Sequence, residues 1–217
     1  LDQPLAMARA AKAVDARFVA FSTDYVFDGH DGPYDESAPT NPLSVYGRAK
    51  RDAEQALAEA LGDSLLTVRT TWVYGPERQG KNFAYQLARS LGEGRAVVCP
   101  TDQVSNPTYG PDVAKAVVEV VVRGVSGLIH VAGPEYVPRP EFARAVSRTL
   151  GLDTSRIEEK PTSELGQPAA RPLRGGLLTR RLDSLIPGAM RPMSQALGDL
   201  LRAVGEEDEW ARLPSVD

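Results

Sequence analysis

Apolar positions recur at helical spacing where the chain opens: Leu5, Ala8, Ala11 and Val14 share neighbouring faces over residues 4–14. Residues 17–21 then change period, with Phe18, Val19 and Phe21 in a short β-type run, so the opening predicts a helix feeding a strand. A polar stretch rich in Gly, Pro, Asp and Thr fills 22–44, too long for an ordinary connection, and is expected to be a working loop at the strand's end. Residues 46–61 are built from Ala, Glu, Leu, Lys and Arg, and Gly62 suits the stop of the helix they predict. Further strands are expected at 65–68, 96–98 and 128–131, and helices at 83–91, 111–122, 138–150 and 193–204. Helices alternating with strands favour an α/β open sheet with parallel crossovers. After Gly133 the pattern loosens, and the Pro-, Gly- and Arg-rich stretch 161–192 suggests a small α-rich lobe. The run Glu206, Glu207, Asp208, Glu209 is expected to be a solvated tail.

With 42% hydrophobic residues among 217, the chain can bury one sizeable core or two smaller ones sharing an interface. Its 29 acidic and 25 basic residues leave a formal charge of −4, so no broad cationic surface suggests nucleic acid as a partner. The single Cys99 allows no internal disulfide and no thiol cluster, which fits a reducing, cytoplasmic setting and a buried, inert thiol. No apolar run approaches the ~20 residues needed to span a bilayer, so no membrane partner is expected. His30 and His130 lie far apart without carboxylate or thiol companions at ligand spacing, so no metal site is expected. Neither a Gly-x-Ser-x-Gly elbow nor His-Glu-x-x-His occurs, which removes the common hydrolase readings.

Candidate chemistry gathers around Tyr46 and Lys50, four apart at the start of the clearest helix and so on one face, roughly 6 Å apart along its axis. A phenol is a poor acid–base group at neutral pH, but a nearby ammonium favours its phenolate. The spacing alone equally suits two surface residues. Thr23, in the loop after the first strand, is expected to face the same crevice, because open α/β sheets bind ligands at the carboxyl ends of their strands. Its hydroxyl could then donate to a substrate carbonyl and help the phenol stabilise the charge that develops when hydride arrives. Arg69 could counter a diphosphate through its planar fork or serve in a structural ion pair, and both readings stay open.

Ser22 to Gly29, Gly32-Pro33-Tyr34, Pro42-Leu43, Tyr46-Gly47-x-x-Lys50, Arg69-Thr70-x-Trp72-Val73-Tyr74-Gly75, Asn82-Phe83, Asp102-Gln103 and Pro107-Thr108 occur in that order, followed by His130 to Gly133 and Arg171-Pro172. Together they resemble the dTDP-4-dehydrorhamnose reductases, which are extended short-chain dehydrogenase/reductases. The resemblance implies a partial doubly wound, Rossmann-like parallel sheet over 1–133, with substrate-binding segments inserted at 76–110, and a small substrate lobe over 134–217. It also implies hydride transfer from NADPH or NADH to the 4-keto carbon of dTDP-4-dehydro-L-rhamnose, giving dTDP-L-rhamnose. Thr23, Tyr46 and Lys50 would be catalytic, Tyr46 and Lys50 would hold the nicotinamide ribose, and Thr23, Asp24 and Trp72 would touch the dTDP-sugar. A homodimer is left open.

Two departures qualify the resemblance. No Gly-x-x-Gly-x-x-Gly or Gly-x-Gly-x-x-Gly turn joins a strand to a helix, so the cofactor's pyrophosphate has no cradle in these 217 residues, and the chain alone is expected to be an inactive fragment. The family's Asp-Gln-x-Gly-x-Pro-Thr appears as residues 102–108 without its glycine, although Asn106 tolerates unusual backbone angles moderately well. Competing readings are a non-catalytic sugar-nucleotide-binding or regulatory protein, like the regulatory subunit of methionine adenosyltransferase, and another extended short-chain nucleotide-sugar enzyme. The intact Thr23, Tyr46 and Lys50 disfavour the first, and Asp24 disfavours an epimerase.

Overall fold

The computed structural model describes residues 2–207. Helix α1 (Asp2–Ala13) leads into strand β1 (Phe18–Thr23), and α2 (Val45–Leu61) into β2 (Leu65–Thr70). The start of α2 is set by Ser44, whose side chain accepts a hydrogen bond from the Gly47 amide at 3.0 Å. A two-residue strand β3 (Val73–Tyr74) precedes α3 (Phe83–Gly92), whose first turn is capped by Asn82. Three short strands follow, β4 (Val97–Pro100), β5 (Val104–Ser105) and β6 (Thr108–Tyr109), and then α4 (Gly110–Val122), with Pro111 in its first turn where no amide partner is needed. The rest comprises β7 (Gly127–His130), β8 (Val137–Pro138), α5 (Arg139–Thr149), β9 (Ile157–Lys160), α6 (Arg180–Leu185) and α7 (Met193–Glu207).

The central sheet has the order β1-β2-β7 with every pair parallel, in a register that places Thr23 beside Thr70 and Arg69 beside His130. Successive residues of β2 face opposite sides of the sheet. Leu65 packs with Ala8 of α1 and with Leu57 and Leu61 of α2, whereas Leu66 and Val68 pack with Val113, Val117 and Val120 of α4 and Leu182 of α6. Helices therefore cover both faces, which is the expected α/β arrangement. A second core joins α3, α5 and α7 around Tyr85, Phe142, Val146 and Leu197, and encloses Cys99, which is fully buried. That burial pushes the Cys99 thiol up from its ordinary pKa, as expected of an inert thiol.

The predicted helices and longer strands lie within a few residues of the observed ones. The paired strands β3, β5, β6 and β8 are too short to leave a period, and β9 reads Ile-Glu-Glu-Lys, with only Ile157 buried. The stretch 161–192 holds a 3-10 turn at Thr162–Glu164 and one short α-helix, α6, and its residues 174–178 run back along the loop after β1. There Arg174 donates its amide to the Gly29 carbonyl at 2.9 Å and accepts from the Gly32 amide at 3.2 Å. Glu206 and Glu207 close helix α7 rather than beginning a tail, and Asp208 and Glu209 lie outside the described residues. Among the described residues no helix is long and apolar enough to cross a membrane.

Candidate active site

At the carboxyl end of β1 the chain turns sharply. The Thr23 hydroxyl accepts from the Tyr25 amide at 3.2 Å and donates to Asp24 Oδ1 at 3.3 Å, capping a single 3-10 turn over Asp24–Val26. The first turn of α2 presses against this turn at Gly47, where a Cβ would stand 2.2 Å from the Tyr25 carbonyl oxygen. Only glycine permits that approach. It brings the Tyr46 ring edge-on to Tyr25, with centroids 5.9 Å apart, while leaving the Tyr46 side chain 52% exposed. One helical turn further, Lys50 Nζ lies 6.0 Å from the Tyr46 ring centroid and donates to the Phe21 carbonyl at 2.9 Å.

A cleft of about 320 Å³ opens here, lined by Thr23, Asp24, Tyr46, Thr71 and Trp72 among others. Four of the five residues singled out in the sequence thus meet at one cleft. The fifth, Lys50, lies beside it, in a hollow along β1 shared with Phe21 and Ser22.

Asp24 forms the floor and is only 2% exposed. Its Oδ2 accepts from the Thr71 hydroxyl at 2.7 Å, the Ser105 hydroxyl at 3.2 Å and the Gly176 amide at 3.2 Å. Gly176 has φ +85°, and a Cβ there would stand 2.7 Å from Asn106 Oδ1, so this approach also needs glycine. Burial raises the Asp24 pKa above the ordinary carboxylate value, outweighing the hydrogen bonds that lower it. The carboxyl therefore ties three distant segments to the turn that carries Thr23.

Trp72 follows β2 with φ +36°, a left-handed conformation that costs a side-chain-bearing residue on the order of 1–2 kcal/mol. Strain of this size persists only where surrounding contacts impose it. Here the Arg139 guanidinium stacks 3.4 Å from the Trp72 ring centroid, and Phe142 lies 6.4 Å away. Trp72 both lines the cleft and packs against the second core.

Arg69 resolves into the structural alternative. Its guanidinium grips Glu54 of α2 through Nε at 2.9 Å and Nη2 at 2.6 Å, with the Arg69 side chain 5% exposed. The missing glycine in 102–108 carries no backbone penalty, since neither Ser105 nor Asn106 has positive φ. Ser105 instead joins the Asp24 network, and Asn106 accepts from the Leu177 amide at 2.8 Å and donates to the Gly133 carbonyl at 2.9 Å. His130 is fully buried, and no group of three or more His, Cys, Asp or Glu among the described residues is placed to hold a metal ion. Sequence reasoning missed Thr71, Ser105 and Gly176. A hydroxyl beside Trp72 was the only local signal, because their common partner is distant along the chain.

The model of the RmlD substrate binding domain family matches residues 2–205. A dTDP-4-dehydrorhamnose reductase of Mycolicibacterium smegmatis is 34% identical over 212 residues, which cover 96% of this chain and 64% of that protein. The corresponding reductase of Mycobacterium tuberculosis is 36% identical over 222 residues, covering 98% of this chain and 71% of its own length. This chain thus spans about two thirds of these relatives. Among solved structures, a dTDP-4-dehydrorhamnose reductase of Clostridium acetobutylicum superimposes with a TM-score of 0.84 at 31% identity, over 93% of this chain and 71% of that one. The Bacillus anthracis reductase, solved in complex with NADP, gives 0.83 at 28% identity over 90% and 69%. The chain belongs to the RmlD substrate-binding-domain family, with dTDP-4-dehydrorhamnose reductases as its relatives.

Proposed function

We propose that this chain serves the NAD(P)H-dependent reduction of the 4-keto group of dTDP-4-dehydro-L-rhamnose, a step that supplies an activated deoxysugar. The observation that carries the reading is the convergence of Thr23, Tyr46 and Trp72, from three separate segments, on one cleft at the carboxyl ends of β1 and β2. When bound, the nicotinamide cofactor supplies the hydride. Tyr46, exposed at the cleft mouth, gives its phenolic proton to the oxygen of the reduced carbonyl, and Thr23 lies within the same cleft, where its hydroxyl orients that oxygen by turning its one proton away from Asp24 Oδ1.

Lys50 fits the ribose end of such a cofactor. Its ammonium has three donors and spends one on the Phe21 carbonyl, which leaves two for ribose hydroxyls beside Tyr46. No glycine-rich strand–helix turn for the pyrophosphate occurs in the sequence, so the fit covers one end of the cofactor. Trp72 offers a flat apolar face to the sugar, and Asp24 acts from the floor of the cleft. In this reading 134–217 contribute a substrate lobe, and the setting is cytoplasmic. The test fuses a relative's dinucleotide-binding half in front of this chain and follows conversion of dTDP-4-dehydro-L-rhamnose with NADPH. Formation of dTDP-L-rhamnose is expected, and a folded fusion that leaves the keto sugar untouched contradicts the reading.

A further inference from the structure

Behind Trp72 lies a second, larger cavity of about 410 Å³, whose lining includes Lys81, Phe83, Gln103, Arg139, Gln167 and Arg171. Its lining contains three cationic side chains and no Asp or Glu. Arg139 stands out among them. Its guanidinium sits between two rings, 3.4 Å from the Trp72 centroid and 4.7 Å from that of Phe83, and none of the described residues gives it a carboxylate partner. By contrast Arg69 faces Glu54 and Arg191 faces Asp112, while Arg89, whose Nε and Nη2 are buried without a hydrogen-bond partner among the described residues, does not line this cavity. The cost of this isolation is visible in its pKa, which burial pushes down to about 10, with the nearby Arg171 adding like-charge repulsion. Two guanidiniums facing one cavity without a counter-charge form a site that is completed by an anion, and a planar fork suits phosphate oxygens.

We infer that Arg139 is a substrate-binding and specificity-determining residue, which takes a phosphate oxygen of the nucleotide diphosphate with its outer edge while its face holds Trp72 against the sugar cleft. One ring then separates the two ends of the ligand, because Trp72 lines the cleft on one side and stacks on Arg139 on the other. The left-handed backbone of Trp72 is kept in place by this stacking. An anion bound at the cavity would thereby fix the ring that meets the sugar. Naming the anion as a nucleotide diphosphate rests on the reductase reading. The presence of an anion site does not.

The experiment is calorimetric titration of the full chain with inorganic pyrophosphate, dTDP and thymidine, comparing wild type with Arg139→Met, which keeps the stacked hydrocarbon and drops the charge, and Arg139→Lys, which keeps the charge and drops the fork. Arg139→Met is expected to weaken dTDP and pyrophosphate at least tenfold while thymidine affinity stays within about twofold, and Arg139→Lys to fall between. Unchanged dTDP and pyrophosphate affinity in Arg139→Met overturns the inference, as does a parallel loss for thymidine, which would make Arg139 only a wall of the cavity. Absence of pyrophosphate and dTDP binding to wild type also overturns it. Failure of the reductase reading is separate: Arg139-dependent pyrophosphate binding in a protein whose fusion does not reduce the keto sugar would leave the anion site standing.

Discussion

Replacing Arg69 by methionine should destabilise the fold while leaving substrate recognition intact. The guanidinium makes two short hydrogen bonds to Glu54, at 2.9 and 2.6 Å, and its carbon lies 5.1 Å from the Phe27 ring centroid. With side chains 5% and 13% exposed, the pair sits between α2 and β2 with little water to replace a lost partner. Methionine retains much of the hydrocarbon packing but strands the Glu54 carboxylate, and breaking a buried pair from one side costs about 3–5 kcal/mol. Against a typical total of about 5–15 kcal/mol, that is a large fraction of the stability. Arg69→Met with Glu54→Leu removes both charges and should recover at least about 2 kcal/mol of the single-variant loss, since an apolar replacement of both partners is often neutral. Urea unfolding followed by circular dichroism gives each corner of the cycle. A loss below about 1 kcal/mol for Arg69→Met, or a collapse of dTDP binding at unchanged stability, would refute the ion-pair argument and return Arg69 to the ligand.

Further expectations follow from the same geometry. His130, whose pKa burial and the charge of Arg69 lower to about 4, stays neutral in the fold while the unfolded chain takes up a proton near pH 6.5. Stability should therefore fall as pH drops between those values, by at most roughly 1.4 kcal/mol per unit. Asp24, with a raised pKa, contributes the opposite slope, so the wild-type curve minus that of His130→Gln isolates the histidine, and a flat difference would contradict its burial as a neutral base. Asp24→Ala leaves the Gly176 amide and the Thr71 and Ser105 hydroxyls without their acceptor and should cost more than about 2 kcal/mol in urea unfolding, an effect below about 1 kcal/mol counting against the floor network. Trp72→Ala in the active fusion should raise KM more than it lowers kcat, and an unchanged KM with a sharply lower Tm would make Trp72 a core residue only.

The long helices and the three strands of the central sheet were legible because each is long enough to carry a period, and Gly62 marked the end of α2. The meeting of Thr23 and Tyr46 was legible because both flank one strand–loop–helix unit. What brings Ser105 and Gly176 onto Asp24 is tertiary: their backbone approach to a buried carboxyl leaves no local period. Arg139 was hidden for the same reason, since an arginine that opens a helix looks solvated until the rings of Trp72 and Phe83 close on it. Arg69 could be assigned only once Glu54 stood opposite it.

The most direct test of the central claim is the turnover of Tyr46→Phe with dTDP-4-dehydro-L-rhamnose and NADPH, in the fusion that supplies the dinucleotide-binding half. Tyr46 is half exposed, and its ring contacts with the Tyr25 edge and the Lys50 ammonium are kept by phenylalanine, so stability should change by less than about 0.5 kcal/mol. Loss of the proton donor should lower kcat by about 10²- to 10⁴-fold, with dTDP-sugar affinity within a few fold of wild type. Retention of more than about a tenth of the wild-type kcat, a barrier change under ~1.4 kcal/mol, would contradict the assignment of Tyr46 as the acid.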